Sequence, residues 1–211
     1  MQSDAFPILP PALDYAGVFV FALTGALAAA RDRHDIITFL FFAVVTGVGG
    51  GTLRDLLIGA PVFWVHDPAY LAVGGAAAPI VWLMGARLAR SSALIWIDAL
   101  GLSIYAVIGA AKAFAIGVDP LVSVAMGVLT ATFGGVLRDV LAGQPSILLK
   151  REIYVTAALL AASVFAMLVV LRVPALIAGA VGAGLGLGLR AGAIAWSWHM
   201  PAFGADEKED A

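Results

Sequence analysis

Two short stretches hold most of the residues of this chain that could do chemistry in an apolar setting. The first is Thr46-Gly47-Val48-Gly49-Gly50-Gly51-Thr52-Leu53-Arg54-Asp55, and the second, 84 positions later, is Thr130-Ala131-Thr132-Phe133-Gly134-Gly135-Val136-Leu137-Arg138-Asp139. Each sets a glycine run a few residues ahead of an Arg-Asp pair. A glycine run can interrupt a helix, freeing carbonyls on one side of the break and amide donors on the other. Freed carbonyls can replace part of a cation's hydration shell, whereas the positive end of a half-helix favours anions. Close helix packing is the competing role for such glycines; three in a row at Gly49 to Gly51 favour a bend. Both features are costly: glycine lowers helix stability by about 1 kcal/mol relative to alanine, and a charge at membrane depth costs about 2.5 kcal/mol or more.

Enzyme chemistry finds no foothold. The glycine runs lack the lysine of a phosphate-binding loop and do not fit GxGxxG after a strand. His34, His66 and His199 stand in loops or at span ends without metal-ligand spacing. With no cysteine, thiol catalysis, disulfides and Cys-ligated zinc are excluded. No Ser, His and acid are set for an intramembrane protease. No metal and no cofactor is expected.

The elements that position these motifs are apolar. Hydrophobic residues make up 62% and charged residues 12%, the latter about half the usual share in soluble domains, and the mean hydropathy is +1.01. Long unbroken apolar runs select membrane-spanning helices, because hydrocarbon offers the backbone no other partners. The net charge of −2 without a basic cluster gives no basis for nucleic acid. The expected class is all-α integral membrane. Predicted spans run from about Leu13 to Ala30, Ile36 to Gly59, Pro68 to Ala86, Ala93 to Ile116, Pro120 to Gly143, Glu152 to Leu171 and Pro174 to Trp196. Residues 1–12, with Pro7, Pro10 and Pro11, read as an extended lead-in, without the basic region of a signal peptide. Residues 197–211 read as a polar cytoplasmic tail.

The offset of 84 also maps Asp14 on Asp98, Gly25 on Gly109, Gly59 on Gly143, Pro61 on Pro145 and Tyr70 on Tyr154. A duplication follows: residues 13–90 and 97–172 form two three-helix repeats, and residues 174–196 a seventh helix. Three spans is an odd number, so the second repeat enters from the opposite side and the repeats are inverted. Such repeats with glycine-interrupted helices point to a midplane path. Basic loop residues set the orientation: Arg31, Arg33, Arg87, Arg90, Lys150, Arg151 and Arg190 all fall on one side if the N-terminus is outside and the C-terminus cytoplasmic. Trp64, Trp96, Trp196 and Trp198 suit an interfacial belt.

Neighbouring Arg54 and Asp55 point to different faces of a helix, so the expected ion pairs run across the pseudo-twofold axis, Arg54 to Asp139 and Arg138 to Asp55. Snorkelling to the headgroups is the alternative for both arginines. Lys112, whose counterpart is Ala28, reads first as a snorkelling lysine and second as a voltage-sensing or blocking group. Asp14 and Asp98 read as carboxylates at helix starts. Gly182 to Gly186 and Gly184 to Gly188 carry GxxxG spacing for helix packing.

With seven spans, two inverted repeats and glycine motifs followed by Leu-Arg-Asp, residues 13–196 resemble the prokaryotic trimeric intracellular cation (TRIC) channels, a family overlapping membrane proteins labelled glycine transporters. The resemblance implies a homotrimer with a water-filled path in each protomer, lined by kinked second and fifth helices, that conducts monovalent cations, potassium chiefly and sodium less. It carries the kinks to Gly49, Gly50 and Gly51 and to Gly134 and Gly135. Phe133 stands where a third glycine often sits and would narrow the path. Lys112 falls where the family has a basic residue linked to voltage-dependent gating. The lipid bilayer, the plasma (inner) membrane if bacterial, is the implied setting. A carrier for a small neutral amino acid such as glycine shares this architecture and is the alternative.

Overall fold

The computed structural model describes residues 9–84, 92–149 and 152–201; the orientation residues Arg87, Arg90, Lys150 and Arg151 lie outside them. Among the described residues there are eight α-helices: α1 Pro11–Arg31, α2 Ile36–Leu57, α3 Phe63–His66, α4 Ala69–Met84, α5 Ala93–Ala115, α6 Pro120–Leu141, α7 Val155–Val170 and α8 Ala175–Trp196. α1, α2, α5, α6 and α8 are long and apolar enough to cross a membrane, and α4 and α7 are shorter apolar helices.

The boundaries follow local chemistry. Proline at the first helical position is tolerated because that N–H has no intrahelical partner, so α1 starts at Pro11 and takes in two residues assigned to the extended lead-in. Asp119 caps α6 by accepting the Leu121 N–H at 2.8 Å. Past the ends of α2 and α6, Gly59 and its counterpart Gly143 adopt φ of +67° and +61°, the left-handed geometry that closes a helix end and favours glycine. The chain then forms α3 in one case and a single 3₁₀ turn, Ile147–Leu149, in the other. Neither piece is long enough to register as an apolar run.

Asp35 caps α2 by accepting the Thr38 N–H at 2.8 Å, and that bond is the chief cause holding its carboxyl below the usual carboxylate range. A carboxylate with a lowered folded-state pKa stabilises above its unfolded pKa and loses that effect as pH falls through the folded one. Acidification is therefore expected to lower the Tm, and Asp35→Asn should show a smaller drop in a pH series of thermal melts.

α1, α2 and α4 pack together, as do α5, α6 and α7; the groups meet through α1 against α5 and α2 against α6, and α8 lies on α5 and α7. Small residues make the close approaches possible. An added Cβ at Gly182 would stand 2.6 Å from the Ala161 carbonyl, and one at Gly186 2.7 Å from the Ala161 methyl, whereas Gly184 and Gly188 face open space within the protomer. The Gly182–Gly186 face therefore packs α8 on α7. Arg190, read from sequence as a loop residue, is instead buried at 2% exposure within α8. It donates to Glu152 at 2.6 Å, and an ion pair inside the protein replaces the headgroups as its partner.

Candidate functional site

Gly50 and Gly134 lie where α2 and α6 cross. α2 and α6 run as helix without interruption through both glycine runs. An added Cβ at Gly50 would overlap the carbonyl oxygen of Thr130, and one at Gly134 would lie 2.6 Å from the carbonyl oxygen of Thr46. The contact is reciprocal, since Thr46 and Thr130 are counterparts, as are Gly50 and Gly134. The packing role ranked second from sequence is thus present at both positions. Three hydroxyls nearby return to their own helix: Thr52 to Val48 O at 2.7 Å, Thr130 to Met126 O at 2.6 Å and Thr132 to Val128 O at 2.9 Å.

Just beyond the crossing, each motif's acid is fixed by the chain that follows. Asp55 Oδ2 accepts the Phe63 N–H at 3.0 Å, and Asp139 Oδ2 accepts the Ile147 N–H at 3.0 Å. Anchored this way, each carboxylate turns back toward the arginine beside it: Arg54 Nε to Asp55 Oδ1 is 2.9 Å, and Arg138 Nε to Asp139 Oδ1 is 3.0 Å. The expected pairs Arg54–Asp139 and Arg138–Asp55 do not form. The angular separation of neighbours on a helix was outweighed by the reach of the arginine and by the loop N–H that aims the acid. Snorkelling fails too, because Arg54 is 0% and Arg138 3% exposed.

Two further partners were not legible from spacing. Arg138 Nη1 donates to Asp98 Oδ1 at 2.5 Å and to Thr24 Oγ1 at 3.1 Å, across 40 and 114 residues. Asp98 is accordingly not a helix-start carboxylate: α5 begins at Ala93 and Asp98 is buried. Lys112 Nζ donates to Asp55 Oδ2 at 2.8 Å and lies 5.4 Å from the centre of the Phe63 ring. It is held by an acid, not by headgroups. Phe133 is half-buried on α6. Among the described residues no group of three or more His, Asp or Glu is placed to hold a metal ion.

Two cavities flank these charges. One, of about 410 Å³, is walled by Asp14 and by Pro10, Pro11, Phe63, Lys112, Ala115 and Ile116, the start of α1 and the end of α5. The other, of about 320 Å³, is walled by Arg138 and Asp139 and by Leu94, Ile95, Ile147, Ala28, Arg31 and Asp32, the end of α1 and the start of α5. Taken in that order, the last six residues of each wall are counterparts at the offset of 84. All six counterpart pairs differ in residue type; in the first half Arg54 lies behind the Phe63 ring, 5.9 Å from its centre, and does not wall the cavity, while Arg138 stands at the wall of the second.

A family model described as "Glycine transporter" matches residues 11–86 and, again, residues 95–170. The chain belongs to this family. It is 40% identical over 199 residues to the UPF0126 inner membrane protein YadS of Escherichia coli, covering 92% of this chain and 96% of that protein. Among solved structures it is similar to the TRIC trimeric intracellular cation channel orthologue from Rhodobacter sphaeroides, with 44% identity, a TM-score of 0.85 and coverage of 89% of this chain and 98% of that one. A second TRIC cation channel structure aligns with a TM-score of 0.81 at 29% identity, over 93% and 98% of the two chains. The resemblance to TRIC channels drawn from the paired motif therefore holds, and the protein is a multi-pass integral membrane protein. The solved structures that it matches are cation channels, not enzymes.

Proposed function

We propose that the protein is a monovalent cation channel, chiefly for potassium, whose path in each protomer runs between the two cavities past the α2–α6 crossing. The observation that carries this reading is the pair of matching cavities at opposite ends of α1, each lined by ionisable side chains. The 44% identity to a TRIC channel supports it. In this reading residues 13–90 and 97–172 are inverted repeats and residues 174–196 a seventh span. A twofold axis yields reciprocal contacts, which is how Gly50–Thr130 and Gly134–Thr46 are related. α4 and α7, each described over 16 residues or about 24 Å, span by local thinning of the bilayer. Bends at Gly49, Gly50, Gly51, Gly134 and Gly135 belong to the proposal, favoured by the Thr52, Thr130 and Thr132 hydroxyls on carbonyls one turn back. So do a constriction at Phe133, the charged pairs Arg54, Asp55, Arg138 and Asp139 near the path, and a gating role for Lys112. The protein works as a homotrimer in lipid, in the inner membrane if bacterial, with its N-terminus outside and C-terminus cytoplasmic.

Reconstitution into a planar bilayer under a potassium gradient tests this. Discrete current steps that reverse near the potassium potential, with or without glycine, are the expected result. A silent bilayer together with saturable glycine uptake into proteoliposomes would instead support the carrier, which the family's description favours.

A further inference from the structure

The two halves place the same three side chains in different hydrogen-bonding states. Asp14, Arg54 and Tyr70 in the first half are the counterparts of Asp98, Arg138 and Tyr154 in the second. In the second half the arginine holds the acid: Arg138 Nη1 to Asp98 Oδ1 is 2.5 Å, while Asp98 Oδ2 and the buried Tyr154 hydroxyl have no partner among the described residues. In the first half the tyrosine holds the acid: Tyr70 OH donates to Asp14 Oδ2 at 3.2 Å, and both terminal nitrogens of the buried Arg54 are without a partner there. The side chain that holds the acid is therefore the opposite member of the trio in the two halves.

Local packing accounts for the difference. Thr24, which adds a second acceptor for Arg138, has Ile108 as its counterpart, so Arg54 lacks that bond. Tyr70 is steadied by stacking on Tyr15 with ring centres 4.1 Å apart and by an edge contact with Phe63 at 4.7 Å. Tyr154 instead lies under the Arg190 guanidinium, 5.3 Å from its ring centre, and α8, which supplies that arginine, lies outside both halves. Arg54, Lys112, Asp55 and Asp14 sum to zero charge.

We propose that each half carries a two-position latch, in which the α1 or α5 carboxylate is held either by the motif arginine or by the tyrosine, and that Arg190 of α8 sets the second half in its arginine-held position. Buried polar groups left without partners cost enough to make such exchanges strongly two-state. The inference goes beyond conduction and is tested without recording current.

The chain has no native cysteine, so Ala28→Cys and Ala111→Cys each report one cavity. The readout is the rate of modification by an anionic methanethiosulfonate reagent, which an unpaired arginine accelerates, on the full chain in detergent. Tyr70→Phe should pass Asp14 to Arg54 and slow A111C by about tenfold, the change one hydrogen bond to a charged group makes in an equilibrium. Tyr154→Phe alone should leave A28C unchanged. Arg190→Gln should accelerate A28C, and adding Tyr154→Phe should abolish the acceleration. A purely structural role of Arg190 on the ring would give the same acceleration with and without the hydroxyl, and that result overturns the proposal. If Arg190→Gln does not fold, the two tyrosine variants decide: equal effects at their own cavities, or none from Tyr70→Phe, overturn it.

Discussion

Gly50→Ala is expected to destabilise the protein by about 3 kcal/mol, at the upper end of the range for overpacking a tight core. The added methyl would overlap the Thr130 carbonyl, which belongs to helix backbone and cannot rotate aside. Its neighbours differ. At Gly49 the same methyl meets only the end of the Leu137 side chain, which can change rotamer at a cost of about 1 kcal/mol. At Gly51 it meets the Phe63 ring at 2.7 Å, an intermediate case because that ring is pinned between Tyr70 and Lys112. Thermal melts of the three variants in one detergent should rank Gly50→Ala lowest and Gly49→Ala nearest the parent. Equal melting temperatures for Gly49→Ala and Gly50→Ala would show that the crossing is not the tight contact described.

The acids of the two motifs should differ as sharply. Asp55 is 0% exposed and accepts from Arg54, Lys112 and the Phe63 N–H. Asp55→Ala leaves two cations and a backbone donor without an acceptor, and breaking a buried pair in this way costs about 3–5 kcal/mol. Asp139→Ala should cost less, because Asp139 is 13% exposed at its side chain and Arg138 keeps both Asp98 and Thr24. The expected outcome is little folded protein for Asp55→Ala and a readily purified Asp139→Ala, read by yield and by chromatographic profile. The reverse order would contradict the pairing scheme. Lys112→Met, which takes one cation from Asp55 and leaves Arg54 in place, should fall between them.

What sequence made legible was what depends on composition and period. Apolar runs mark where the long helices lie, and the shared offset that relates Arg54 to Arg138 also relates the walls of the two cavities. The glycines of the motifs were rightly singled out, but three in a row argue for a bend and for close contact with equal force, and only the position of Thr130 shows the contact. Charge pairing was the weakest point. The partner of Asp55 depends on where the chain returns at Phe63, a feature of loop geometry that no helical period encodes. Arg190 was misplaced for a related reason: a lone arginine near the end of an apolar run is ordinarily at the headgroups, and the acid that holds it, Glu152, lies 38 residues back in sequence. Asp98 and Thr24 meet Arg138 only because separate helices converge on it.

The two cavities also bear on how the protein would feel a voltage. Water in both would carry the potential of each bathing solution inward, so the field of the membrane would fall mainly across the thin septum formed by the α2–α6 crossing and its ion pairs. A unit charge that traverses the whole field gains about 2.3 kcal/mol per 100 mV. With the field focused on a septum, a small displacement of a side chain such as Lys112 would capture a large share of that energy, with no need for a helix to travel the width of the bilayer.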